Sequence, residues 1–236
     1  MIYETLLREG ASSYGLSLSD TQVSQLDRYD QLLREWNERI NLTAIIEPRD
    51  VVIKHFLDSL SGASVFEIRP GQKVLDVGTG GGFPGMVLAV TFPEASFTLM
   101  DATGKKIRFL NLVKEELGPT NVTCVQGRAE ELAHDPAYRE KFDLVTSRAV
   151  ASLPVLLEYT AGFARTGGRI AAYKGPSLEE ELSLARSAVR TLQLQLLSKS
   201  EITMEDYSHT IALFEKVKTL SDRYPRPHAQ IRKKSL

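Results

Sequence analysis

The chain has little of what a disulfide-stapled, membrane-spanning or metal-clustered protein needs. Among its 236 residues Cys124 is the single cysteine. That excludes an intramolecular disulfide and a cysteine-based zinc cluster, and it suits a reducing compartment. No stretch reaches the roughly 18 apolar residues that a membrane helix requires. The first residues, interrupted by Glu4 and Glu9, do not form the apolar core of a signal peptide. The four histidines are scattered; His55 and Asp58 share one helical face at i, i+3, too few ligands for a metal, and helix packing is their expected role. A metal-free, monomeric, cytoplasmic protein is therefore expected. With 42% hydrophobic and 25% charged residues, 16 glycines and 10 prolines, the composition is that of a globular chain long enough for one large α/β domain and a small appendage.

The net charge of −1 conceals an asymmetry. From Lys216 onward seven Lys and Arg face only Asp222, so the end carries +6 and the preceding residues −7. A basic end on an acidic body suits contact with a polyanion, or a solvated tail that aids solubility.

Residues 1–64 read as a helical cap. Ser19 and Asp20 are N-cap types, and Val23, Leu26, Tyr29, Leu32, Leu33 and Trp36 form one stripe that Asn41 breaks. Asp50 opens a second helical run through Leu60. From residue 70, apolar segments Lys73–Val77, Phe97–Asp101, Val122–Val125, Phe142–Thr146 and Arg169–Tyr173 alternate with helical stretches such as Lys105–Leu117, stopped by Gly118. This order predicts a parallel sheet with right-handed crossovers. Ser177 and Glu180 suggest a capping box for a helix near Leu178–Arg190. Leu192–Leu197 and Thr210–Lys216, with a polar turn region between them, are expected to close the sheet as an antiparallel hairpin. The expected architecture is a Rossmann-like α/β domain over 65–218, seven-stranded and mostly parallel with a reversed last strand, followed by a basic segment over 219–236.

The chemistry concentrates after the first strand, in Asp76-Val77-Gly78-Thr79-Gly80-Gly81-Gly82-Phe83-Pro84-Gly85. Small residues between strand and helix let a ligand approach the backbone at the carboxyl edge of the sheet. Asp101 ends the second strand, where a carboxylate accepts from both hydroxyls of a ribose. Gly80, Gly82 and Gly85 also satisfy the dinucleotide pattern G-x-G-x-x-G. Asp76 tips the choice: beside a pyrophosphate it repels, whereas beside the ammonium and sulfonium of S-adenosylmethionine it attracts. After the third strand, Ala129 offers a backbone N–H and Glu130 an acceptor for an adenine, or Glu130 simply favours a helix N-terminus.

The fourth strand leads into Ser147-Arg148-Ala149. It lacks the Asn/Asp-Pro-Pro-aromatic run used on exocyclic amines, and Cys124 lies in the wrong strand to be the nucleophile of pyrimidine carbon-5 methylation. Guanine N7 needs neither, since it carries an in-plane lone pair and no proton. Arg148 suits orienting the guanine edge, a phosphate or the cofactor carboxylate, and Lys174 is a second phosphate candidate.

Taken with Trp36-Asn37, Asn41-Leu42-Thr43, Lys54-His55-Phe56-Leu57-Asp58-Ser59-Leu60, Gly104-Lys105-Lys106-Ile107-Arg108-Phe109-Leu110 and Tyr173-Lys174-Gly175, these motifs resemble, essentially end to end, the glucose-inhibited division protein B family, the bacterial ribosomal small-subunit methyltransferase G. The resemblance implies methylation of N7 of one guanosine in 16S ribosomal RNA, with the small ribosomal subunit as partner. It places cofactor contacts on Gly78, Phe83, Ala129, Glu130 and Arg148, with Asp101 and Thr103 near ribose and adenine. After Tyr224-Pro225-Arg226 the chain departs from the family's usual proline- and lysine-containing ending. A small-molecule methyltransferase on the same fold, a nicotinamide-dependent oxidoreductase and a non-catalytic RNA-binding scaffold remain the competing readings at this point.

Overall fold

The computed structural model describes residues 2–205 and 207–236. The first helices are α1 (Glu4–Ser13) and α2 (Asp20–Ile40). Ser19 caps α2 as a full capping box with Gln22, and Asn41 ends it in the left-handed region. The next run opens at α3 (Pro48–Val51), with Glu47 rather than Asp50 at its N-cap and Pro48 in the first turn, where its missing N–H has no partner to lose. It continues through a π-helical segment, Val52–Leu57, into α4 (Asp58–Leu60) and a 3₁₀ turn, Ser61–Ser64.

The remaining chain alternates β1 (Lys73–Val77), α5 (Gly85–Thr91), β2 (Ser96–Asp101), α6 (Gly104–Leu117), β3 (Val122–Gln126), α7 (Ala129–Leu132), β4 (Phe142–Arg148), α8 (Leu153–Ala161), β5 (Ala164–Lys174), α9 (Leu178–Leu184), α10 (Arg186–Thr191), β6 (Leu194–Met204), β7 (Tyr207–Lys216) and α11 (His228–Lys233). Seven strands form one sheet in the order β3-β2-β1-β4-β5-β7-β6. Strands β1 to β5 pair in parallel, and β7 runs antiparallel to both neighbours. The reversed last strand is the one expected.

Two local expectations are corrected. The polar stretch between the last strands is not a turn region but extended strand up to Met204, paired with β7 and with Ile202 and Met204 turned inward and buried. The capping box at Ser177 does not form: its hydroxyl donates to Glu181 at 3.0 Å, and the predicted helix breaks at Ala185 into α9 and α10.

The sheet separates two apolar layers. One holds side chains of α1, α2, the π segment, α5 and α6 against Val74, Phe97 and Leu99. The other holds α8, α9 and α10 against Leu75, Val77 and Met100. The N-terminal helices therefore share a core with the sheet, and that core brings them to its carboxyl edge. Among the described residues no helix is long and apolar enough to cross a membrane.

Candidate functional site

Two cavities lie side by side at the carboxyl edge of the strands, where open α/β sheets bind ligands. The larger, about 530 Å³, is lined by Val77 and Gly78 of the first turn, Asp101 and Ala102 after β2, Gly127 to Glu130 after β3, Val150, Ala151 and Val155 after β4, and Tyr159, His228 and Arg232. Of the residues singled out in the sequence it brings together Gly78, Asp101, Ala129 and Glu130. Gly78 is required to be glycine twice over: its φ is +69°, and a Cβ there would stand 2.4 Å from Val150 Cγ2.

Asp101 links this wall to the glycine loop. Its Oδ2 accepts from the Gly80 N–H at 3.1 Å and its Oδ1 from the Thr103 N–H at 2.8 Å, with Lys106 Nζ at 3.5 Å. Gly80 and Thr103 thus hold the carboxylate and do not themselves line the cavity. Each carboxylate oxygen retains acceptor capacity toward a ligand. Glu130, 8% exposed, accepts from Arg128 Nε at 2.7 Å.

Asp76 is elsewhere than expected. Its carboxylate is 1% exposed, beneath the loop rather than at its mouth. It accepts from the Gly85 N–H at 3.0 Å and from the Thr146 hydroxyl at 2.9 Å. Burial pushes its carboxyl up to about 6 against the lowering pull of those hydrogen bonds and Arg148. Strand parity explains the placement: Asp76 alternates with Leu75 and Val77, which share their layer with α8 and the cavity, so it points to the opposite face, toward α5. Gly85 is the close approach that makes room, since a Cβ there would meet Leu99 and Asp76.

The loop's own hydrogen bonds bear on which nucleotide fits. The N–H groups of Gly78 and Thr79 donate to Met100 O, those of Gly82 and Phe83 to Thr79 O, and those of Gly80 and Gly85 to the two aspartates. A pyrophosphate needs a cradle of free N–H groups, and these are already paired. The carboxylates of Asp101 and Glu130 on the cavity wall instead suit the ribose and adenine of a nucleoside.

The second cavity, about 380 Å³, lies across the loop that carries Ala149, and Lys54, His55, Asp58, Arg148, Tyr173, Lys174, Tyr207 and His209 line it. Arg148 is its floor. One guanidinium nitrogen donates to Asp58 Oδ2 at 2.6 Å and to Lys54 O at 2.9 Å, and the other to His55 Nδ1 at 3.0 Å. The π-helical segment builds this nest: the Asp58 N–H reaches back to Ile53 O, five residues earlier, while Lys54 O faces the arginine. Asp58 Oδ1 also accepts from the Tyr207 hydroxyl at 3.0 Å and lies 2.9 Å from His209 Nδ1. Burial alone raises such a carboxyl, but His209 and Arg148 outweigh it and hold Asp58 below its ordinary value. Burial and the neighbouring Arg148 lower His55 to about 3. His55 is therefore neutral, and because Nδ1 accepts from Arg148, its proton sits on Nε2 and is donated to Thr43 Oγ1 at 2.8 Å.

Phe83 lies behind this nest, 5% exposed, stacked on His55 with centroids 4.2 Å apart and carrying Arg148 over its face at 5.3 Å. Tyr29 of α2 stacks on its other neighbour side at 5.4 Å and donates its hydroxyl to Gly81 O. Lys174 donates to Ala151 O at 2.8 Å and pairs with Glu181 at 2.7 Å, so it ties down the loop between the cavities. His55 and Asp58, expected to serve helix packing, instead hold Arg148, and Tyr207 and His209 carry no sequence signal that joins them to it. A signal was present for the first two: a histidine and an aspartate inside the apolar run from Val51 to Leu60 must find polar partners.

The comparisons with known proteins agree with this geometry. The family described as rRNA small subunit methyltransferase G (GidB) matches residues 22–209. A ribosomal RNA small subunit methyltransferase G from Alkaliphilus metalliredigens is 42% identical over 223 residues, 94% of this chain and 93% of that protein. One from Caldanaerobacter subterraneus is 43% identical over 233 residues, 98% and 97% of the two chains. Among solved structures, M. jannaschii TYW2 in complex with AdoMet matches with TM-score 0.56 at 15% identity, covering 74% of this chain and 80% of that one. A 16S rRNA (adenine(1408)-N(1))-methyltransferase variant from Catenulisporales acidiphilia matches with TM-score 0.54 at 16% identity, covering 64% and 88%. These structural likenesses carry the fold: a class I methyltransferase sheet.

Proposed function

The chain belongs to the rRNA small subunit methyltransferase G family, and from that premise we propose that it methylates N7 of a guanosine in 16S ribosomal RNA. S-adenosylmethionine supplies an electrophilic methyl group on a sulfonium. Its adenosine part suits the larger cavity: Asp101 would accept from ribose hydroxyls and Glu130 from the adenine amino group, beside the wall where Gly78 packs against Val150.

The second cavity is the substrate side. An extruded guanine would lie beside Tyr207, Arg148 and Lys54, which line this cavity. Guanine N7 presents a lone pair and no proton, so the reaction asks the protein for position, dryness and charge rather than a base. The residues there have that character: His55 is neutral with both ring nitrogens engaged, and each oxygen of Asp58 accepts a hydrogen bond, one from Arg148 and one from Tyr207. Arg148, fixed by three acceptors, holds a positive charge against the O6 edge or a flanking phosphate. Lys174 positions the loop from Ala149 to Leu153 that separates base from cofactor. No metal enters this scheme, and the protein works as a cytoplasmic monomer on the small subunit.

The observation that carries the proposal is the family match together with an arginine nest, without a cysteine among its lining residues, beside a nucleoside-sized cavity. Small ribosomal RNA from cells lacking the protein, probed by reduction and strand cleavage at 7-methylguanine, is expected to have lost one mark. Retention of every mark would refute the substrate assignment.

A further inference from the structure

The basic end of the chain is not free. Glu158 on α8, wholly buried, accepts from the Arg226 backbone N–H at 2.9 Å and from Arg226 Nε and a terminal nitrogen, each at 2.7 Å. Arg139 donates to the carbonyls of Leu220, Ser221 and Tyr224. His134 bonds Pro225 O at 2.8 Å, and Leu220 and Ile231 are buried. A segment that merely trails cations toward RNA needs none of these anchors.

What the anchors deliver is a wall. They set α11 beside Ala129 and Glu130, with His228 and Arg232 lining the larger cavity. His228 Nδ1 bonds the Tyr159 hydroxyl at 2.7 Å, the two rings lie 14° from parallel, and the same nitrogen stands 3.6 Å from Glu130 Oε1. A flat imidazole, a phenol and a carboxylate at one end of a cavity that elsewhere offers Asp101 to a ribose form a set suited to a purine: apolar faces to cover it and an acceptor for its amine. Beyond Arg226 and Arg232 the segment's cations, Arg223, Lys233 and Lys234, are exposed.

We propose that residues 226–232 form the outer wall of the nucleobase end of the cofactor cavity, with His228 and Arg232 as cofactor-binding residues. The inference rests on the larger cavity being the cofactor site, and it divides the basic end into an inner surface for the adenosyl group and an outer surface, Lys233 and Lys234, for RNA. Anchoring by Arg226 makes the wall part of the folded body, so it is present before RNA arrives.

The test is titration calorimetry of the full-length protein with S-adenosylhomocysteine, alongside thermal melts. Wild type is expected to bind. His228→Ala and Arg232→Ala are each expected to weaken binding by about fivefold to twentyfold, a size suited to one lost base-stacking or polar contact, with unchanged melting midpoints. His228→Phe, which keeps the flat face, is expected to recover most of the loss. The Lys233→Ala, Lys234→Ala double variant is expected to bind the nucleoside as wild type does. If His228→Ala and Arg232→Ala both bind within twofold of wild type, the wall assignment is overturned. If wild type itself does not bind, it is the cofactor site that fails.

Discussion

Arg148 and Asp58 meet at 2.6 Å, with the carboxylate 1% exposed and the arginine side chain 16% exposed. The pair joins the end of β4 to the N-terminal helices, so the reaction edge and the helical cap are built as one object. Removing the arginine leaves a buried carboxylate with two weaker donors. Arg148→Ala is therefore expected to lose methyl transfer to small subunits by about a hundredfold or more and to destabilise the fold by about 3–5 kcal/mol. Labelled-methyl transfer and urea denaturation measure the two effects. Arg148→Lys is expected not to rescue, because one ammonium cannot bridge Asp58, Lys54 O and His55 with planar geometry; full activity in either variant would remove Arg148 from the site.

His55 gives the protein a defined pH response. Its folded-state value, about 3, lies below the ordinary 6.5, so below pH 6.5 the unfolded chain takes up a proton that the folded one refuses. Its contribution to stability is fully present above that pH and declines as pH falls toward 3, by up to about 1.4 kcal/mol per pH unit. Denaturation of wild type and His55→Asn at pH 7 and pH 5 is expected to show their stability difference narrowing at the lower pH. A difference that is constant or widens contradicts the neutral, doubly bonded imidazole.

Gly78, on the wall of the larger cavity, combines a left-handed backbone with a close side-chain neighbour. Gly78→Ala forces a side chain into a left-handed backbone and against Val150. Strain of about 1–3 kcal/mol is expected, together with loss of measurable S-adenosylhomocysteine binding by calorimetry, because the loop bearing Val150 must shift into the cavity. Binding at wild-type strength would show that Gly78 does not shape the cofactor wall.

Asp101 holds the Gly80 and Thr103 N–H groups, and substitution can separate that task from the ribose contact proposed for it. Asp101→Asn keeps an oxygen for a backbone N–H but loses charge and one acceptor, and is expected to weaken S-adenosylhomocysteine by about tenfold. Asp101→Ala also frees the Gly80 and Thr103 N–H groups and is expected to weaken it further while lowering thermal stability by about 1–3 kcal/mol. Equal behaviour of the two variants in both assays argues that the carboxylate never meets the ribose.

How much of this was legible beforehand depended on which regularity carried the signal. The strand and helix order followed from alternation of apolar runs, and β1 and the stop of α6 at Gly118 fall where the spacing puts them. Gly78, Asp101, Ala129 and Glu130 converge because the carboxyl ends of β1, β2 and β3 are neighbours in any such sheet. Asp76 lies away from the cavity because the period-two parity of its strand, which a count of charge near the glycines ignores, turns it toward α5. The Arg148 nest was hidden for a different reason. His55 and Asp58 come 90 and more residues before Arg148 in the chain, and the π-helical widening that aims them has no simple sequence period. The anchored end was hidden because a run of cations looks the same whether it is solvated or, as with Arg226 on Glu158, bonded to a buried acid.

The central claim is tested most directly by incubating the purified protein with methyl-labelled S-adenosylmethionine and small ribosomal subunits from cells lacking it, then hydrolysing the RNA and separating its nucleosides. The account predicts that the label appears in 7-methylguanosine at about one per subunit. Label in any other nucleoside, or none in the RNA while the wild-type protein still binds S-adenosylhomocysteine, would contradict it.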